Sequence, residues 1–291
     1  VAEQWGIALG GGGVPGVAAH LGVLHALRSE SLVPQVCVGT SAGGLVAGAL
    51  AAGAELGYLV RGWSTVMADP WRLWLAEAET AVHILRPSPT PGLLDLRPVL
   101  SLVSQLSSRG QNWLTQPVAR WRGGYGVTLS DLTACRPFVV AAAWDDSAVP
   151  TLSTEQALVA TAAFPGVFSG VRTADGHLLA DGGVYDMLPV EACRRLGARR
   201  VVAVRIGSGE DAVPSDLTTL DLLHIVVARL LRLGQEVANP DPPDVLIDVP
   251  TSGGLLSTGD FAANFLAGVR AAQDVVDRIR EVLVDAQPAS A

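Results

Sequence analysis

Two glycine-rich turns stand in series near the start of the chain, each where an apolar strand would hand over to a helix. The run Trp5-Gly6-Ile7-Ala8-Leu9 leads into GGGGVPG at 10–16 and then VAAHLGVLHAL. The run Val36-Cys37-Val38 leads into GTSAGG and an alanine-rich stretch reaching about residue 52. Two strand-turn-helix units in succession predict a parallel sheet with helices packed on it, because parallel neighbours need a crossover connection. Such a turn exposes backbone N–H groups at the positive end of a helix. It can hold a phosphate, a dinucleotide or a developing oxyanion.

Composition narrows the choice. The chain has 291 residues, 49% of them hydrophobic and 16% charged, enough to bury a large core and of a length that suits one large α/β domain or two small ones. A formal charge of −8 with no basic tract argues against a nucleic-acid partner. All twenty cations are Arg, and without a Lys neither a P-loop nor a Schiff-base enzyme fits. Cys37, Cys135 and Cys193 are odd in number and far apart, as expected of buried reduced thiols in a reducing, cytoplasmic setting. Neither a secretory leader nor a run of about 20 apolar residues is seen, so no spanning helix is expected.

Further along, residues 55–125 read as a helical insertion containing Trp63, Trp71, Trp74, Trp113 and Trp121, broken by RPSPTPG at 86–92. The α/β pattern resumes with a strand around 137–143, a helix near 154–162 and a strand ending in HLLADGG at 177–183. A helix near 189–196, strands at 199–207 and 243–250, and a long amphipathic helix from 260 to about 284 complete the chain. GSGEDAVPSD at 207–216 and NPDPP at 239–243 read as polar connections within a single domain covering 1–291.

Chemistry-bearing residues sit at the turns. Gly39-Thr40-Ser41-Ala42-Gly43 has the form of a nucleophile elbow, with Gly39 and Gly43 leaving room for a sharp turn that lifts the Ser41 hydroxyl. Gly11, Gly12 and Gly13 can present consecutive N–H groups to an oxyanion, with Gly16 completing a Gly-x-Gly-x-x-Gly pattern and Pro15 at an early helical position. The same pattern fits a dinucleotide-binding turn, although the carboxylate expected about 20 residues on is replaced by the elbow. His177 and His224 are poor bases: the first stands beside a turn, the second on an amphipathic stretch. Asp181, followed by Gly182 and Gly183 at the end of an apolar strand, is the better candidate, ahead of Asp131, Asp145 and Asp186.

Taken together, Gly11-Gly12-Gly13-Val14-Pro15-Gly16, Gly39-Thr40-Ser41-Ala42-Gly43 and Asp181-Gly182-Gly183 resemble the three marks of the patatin-like phospholipase family. LGVLHAL at 21–27, ATAAFPGVF at 160–168 and DMLPV at 186–190 extend the likeness. The resemblance implies a three-layer α/β/α fold around a mostly parallel sheet and a Ser41–Asp181 dyad that cleaves fatty-acyl esters of lipids through an acyl-enzyme. It implies a lipid or acyl-ester substrate, peripheral contact with a membrane, no cofactor and no metal. Two departures stand out: Pro15 where the family commonly has Arg, and Met187 where Asn is usual. Without that Arg, a neutral ester or lysolipid suits the site better than an anionic headgroup. The tryptophans of 55–125 would form a lid or interfacial patch, or else pack a small subdomain. A lipid-binding member of the same fold without catalysis is the remaining alternative.

Overall fold

The protein is described from a computed structural model, which covers residues 4–69, 88, 90, 92–107, 112–142, 152–207, 226, 229, 242–254 and 256–284. Among the described residues eight strands form one sheet: β1 (Trp5–Leu9), β2 (Val36–Gly39), β3 (Tyr125–Asp131), β4 (Arg136–Ala141), β5 (Val171–Arg172), β6 (Leu178–Asp181), β7 (Arg200–Gly207) and β8 (Val245–Pro250). Five of them, in the order β8-β7-β1-β2-β3, are parallel; β4 and β6 pair with β3 antiparallel, and β5 pairs with β6. The mixed sheet is therefore mostly parallel.

Helices α1 (Gly13–Ser29), α2 (Ala42–Ala51), α3 (Leu56–Ala68), α4 (Arg97–Ser107), α5 (Thr154–Thr161), α6 (Val190–Arg195), α7 (Phe261–Gln273) and α8 (Val276–Val284) surround it. Every residue of β1 is buried, as a strand covered on both faces requires. Ile7 and Leu9 face the larger core with α1, α2, α5 and α7, while Ala8 faces a smaller one with Val190 and Cys193 of α6. This is the three-layer arrangement, with α6 on the second face among the described residues. Helix α7 crosses α1 closely, because the bare Gly22 and Gly268 let the two backbones touch.

Several boundaries differ from expectation. Helix α1 starts at Gly13, inside the expected turn, with Pro15 in its first turn where a missing N–H costs nothing. The terminal helix is two helices, α7 and α8. Strand β3 had no counterpart in the sequence reading. Its Thr128 and Ser130 are buried polar residues, so it lacks the apolar run that marks a central strand. Trp63, Trp113 and Trp121 are each 4% exposed. Trp113 Nε1 donates to Ser107 Oγ and Trp121 Nε1 to Thr154 Oγ1, so these three belong to the core and not to an interfacial patch. Trp71 and Trp74, most of 86–92, the 207–216 connection beyond Gly207 and 239–241 lie outside the described residues. Cys37 and Cys193 are buried free thiols, whereas Cys135 is exposed, contrary to expectation.

Candidate active site

Strand β3 has three partners and two edges. β4 runs along residues 126–131, whereas β2 pairs at 125–127 and β6 at 129–131, so β2 and β6 share the other edge one after the other. Between them the chain of β2 leaves at Gly39 and that of β6 arrives with Asp181. Thr128 fills the junction. Its carbonyl accepts from Thr161 Oγ1 at 2.8 Å, and its hydroxyl meets Thr40 Oγ1 at 2.6 Å. Active sites of open α/β sheets form where strand direction or order changes in this way.

The elbow follows from small residues. A Cβ on Gly39 would lie 2.1 Å from the Gly43 carbonyl oxygen, and one on Gly43 would lie 2.2 Å from that of Leu9. With those positions bare, Ser41 adopts φ 54° and ψ −120° at the N-cap of α2, a conformation that costs a side-chain-bearing residue of order 1–3 kcal/mol. Its N–H donates to Thr161 Oγ1 at 3.2 Å. Its hydroxyl is thereby aimed at Asp181, donating to Oδ2 at 2.6 Å.

Asp181 is 2% exposed. Its other oxygen accepts the Gly183 N–H at 2.7 Å, across a turn in which Gly182 lies flat against Thr128. Burial pushes its carboxyl up from 3.8 to about 7, against the opposing pull of the bonds from Ser41 and Gly183. A carboxylate so raised is a competent base near neutral pH.

The first glycine turn lies across from the elbow. Gly10 donates to the Val204 carbonyl of β7, and its own carbonyl accepts the Gly43 N–H at 3.3 Å. Gly11 is not a free donor: its N–H is committed to the Met187 carbonyl at 3.0 Å. Among the described residues the N–H groups of Gly12 and Gly13 have no protein acceptor. Gly13 has φ 62°, open to glycine at no cost, and Gly16 packs on Ala42 of the elbow helix.

A cleft of about 760 Å³, counted to its open mouth, runs from Gly13 and Ser41 along Trp63, Met67, Val99 and Phe164. Helix α3, within the expected insertion, thus forms a wall of this cleft. Asp95 is a charged residue of the lining and pairs with Arg97 at 3.0 Å. Pro15, buried, faces the loop around Gly253, whose neighbour in that loop, Thr258, reaches the cleft. The Met187 thioether packs between Gly11 and Gly183.

The other candidates fall elsewhere. His177 Nδ1 is 2.6 Å from Oδ2 of Asp131, whose Oδ1 accepts the N–H groups of Thr133 and Ala134. That histidine therefore serves a buried carboxylate at the far end of β3. Asp186 is pushed up to about 6 by burial, and its backbone carbonyl accepts from Thr40 Oγ1. Asp145 and His224 lie outside the described residues. No described imidazole is hydrogen-bonded to Ser41 or Asp181. At the end of β2, where a dinucleotide fold needs its ribose-binding acid, stands the elbow. Sequence reasoning missed Thr40, Thr128 and Thr161, whose hydroxyls tie the elbow to β3. Nothing local distinguishes them from other threonines.

The family model described as patatin-like phospholipase matches residues 7–126 and 144–194, more than half of the chain. A patatin-like phospholipase domain-containing protein of Caenorhabditis elegans is 30% identical over 250 residues, covering 83% of this chain and 16% of that protein. An uncharacterized NTE family protein of Mycobacterium tuberculosis is 29% identical over 214 residues, covering 72% of this chain and 50% of its own. The chain thus spans half or less of the length of these relatives. Among solved structures, VipD of Legionella pneumophila is similar at a TM-score of 0.48 and 16% identity, over 95% of this chain and 67% of that one.

Proposed function

The chain belongs to the patatin-like phospholipase family, and from that premise we propose that it is a serine acyl hydrolase working through a Ser41–Asp181 dyad on fatty-acyl esters of lipids. The observation that carries the reading is the 2.6 Å hydrogen bond from Ser41 Oγ to a buried carboxylate at the head of an apolar cleft.

In this mechanism Ser41 Oγ attacks the acyl carbonyl carbon as its proton passes to Asp181 Oδ2. The tetrahedral oxyanion is held by the N–H groups of Gly12 and Gly13, at the N-terminus of α1. Gly11 positions this loop through its bond to Met187. Collapse expels the alcohol, which takes the proton back from Asp181, and leaves an acyl-enzyme on Ser41. Water then attacks the acyl carbon, giving a proton to Asp181 that returns to Ser41 Oγ as the fatty acid departs. Atoms balance as ester plus water giving alcohol plus acid. A carboxyl titrating near 7 serves both halves, since it must accept and return the proton at the same pH.

The apolar walls suit an acyl chain, and the absence of a cationic group among the described lining residues favours a neutral or zwitterionic ester, such as a lysolipid or monoacylglycerol. Such substrates are presented at lipid surfaces, which the protein would meet peripherally; no described helix is long and apolar enough to cross a membrane. The test is hydrolysis of a p-nitrophenyl acyl ester, with fluorophosphonate labelling, by the wild type and Ser41→Ala. Activity and labelling lost together in the variant support the reading. A folded wild type that neither labels nor hydrolyses, alone or with liposomes, overturns it in favour of lipid binding without catalysis.

A further inference from the structure

Outside the dyad, the buried titratable group that touches the site most directly is His20. It lies in the second turn of α1 with no exposure. Its Nε2 is 2.7 Å from the carbonyl oxygen of Gly10, the residue at which β1 passes into the glycine turn. A carbonyl accepts only, so the ring must carry its proton on Nε2. Nδ1 is then left as a buried acceptor with no partner among the described residues. An unpaired buried acceptor is costly, and an apolar side chain of similar size would avoid that cost. His20 therefore contributes something other than packing.

The Gly10 carbonyl is a junction. It accepts the imidazole proton from α1 and, at 3.3 Å, the Gly43 N–H from the elbow helix α2, while the Gly10 N–H is fixed to β7. The two residues that follow Gly11 carry the N–H groups assigned to the oxyanion, and Gly43 lies two residues beyond Ser41. One peptide group thus sets the loop that offers the donors against the turn that offers the nucleophile. The second donor to it is a long bond, and the short one comes from His20.

We infer that His20 is a positioning residue that clamps the oxyanion loop to its own helix through the Gly10 carbonyl and so fixes Gly12 and Gly13 relative to Ser41. The inference rests on the hydrolase reading above. Burial holds the ring neutral, pulled down to about 4 against the opposing effect of its bond to Gly10, so the clamp keeps one proton form across the neutral range. His20 touches no reacting atom. Its effect falls on the alignment of donors with the transition state, where a misplacement of about 1 Å costs about 100-fold.

Two variants and one measurement on the wild type test it. His20→Leu fills the space without a donor, and His20→Gln offers an amide N–H at nearly the reach of Nε2. The expected result is a kcat for His20→Leu lower by about 10- to 100-fold with KM nearly unchanged, since the acyl cleft is untouched. Amide exchange should quicken together in residues 10–16 and 41–45 but not in β7, and His20→Gln should recover most of both losses. Nitrogen NMR of the wild type should show the Nε2–H tautomer. Overturning results are an Nδ1–H tautomer, a His20→Leu enzyme with wild-type kcat and exchange, a loss confined to KM, or a His20→Gln enzyme as impaired as His20→Leu. If the wild type itself is inactive, the hydrolase reading fails, while the exchange and tautomer data still decide whether the clamp exists.

Discussion

The buried carboxyl of Asp181 gives the most demanding test, because one group should govern activity and stability with opposite signs. Burial raises it from 3.8 to about 7. A rise of about three pH units at about 1.4 kcal/mol each amounts to roughly 4 kcal/mol favouring the protonated form in the folded protein. In the proposed dyad Asp181 must be ionised to act, so kcat/KM should fall with a slope of one as pH drops below about 7, reporting the free enzyme. Stability runs the other way. The contribution of a raised carboxyl is complete below about pH 4, shrinks as pH rises above its unfolded value, and is gone once pH passes about 7. Denaturant melts from pH 4 to pH 8 should therefore show Asp181→Asn gaining on the wild type by about 4 kcal/mol over that interval. Asp186, also raised by burial, is present in both proteins and cancels in the comparison. The same variant should lose about 10²- to 10⁴-fold in kcat through the missing base. A kcat/KM flat down to pH 5, or a stability difference independent of pH, would refute the assignment.

Three further outcomes follow from the geometry. Ser41→Ala and Ser41→Gly both remove the hydroxyl, so the glycine variant should be the more stable of the two by about 1–3 kcal/mol, the strain held at φ 54°; equal melting curves would show that the turn is not strained. Gly43→Ala drives a Cβ to 2.2 Å from the Leu9 carbonyl oxygen, and a loss of about 3 kcal/mol or more is expected in urea melts, with a smaller loss indicating that β1 and α2 can part. Val99→Trp should shorten the cleft in which the acyl chain is proposed to lie. Exclusion of two methylenes costs about 1.6 kcal/mol, so kcat/KM on long-chain esters should drop more than tenfold while acetate hydrolysis holds, and a uniform drop would place the acyl chain elsewhere.

Much of the scaffold was legible because each element carries its own local signal. Strands β1, β2, β7 and β8 and helix α2 lie within a residue or two of where apolar runs and glycine turns put them. The glycines at 39 and 43 and the acid at 181 were visible because an elbow and a strand-end turn need those residue types wherever they occur. Pairing relations were not legible in the same way. Strand β3, whose two halves receive β2 and then β6 on one edge, was hidden by the polar Thr128 and Ser130, and no local pattern shows that an edge changes partner midway.

The sequence by itself thus marked candidate residues for chemistry and put them at the ends of strands in an α/β fold. Tertiary structure decided the rest. It brought Ser41 and Asp181, 140 residues apart, to 2.6 Å, removed the carboxyl from water so that it titrates near neutrality, and spent the Gly11 N–H on Met187. It turned Trp63 inward as a wall of the cleft and directed His20 to the Gly10 carbonyl. Each depends on desolvation and on which groups meet across distant parts of the chain, and neither property is carried by any short stretch of sequence.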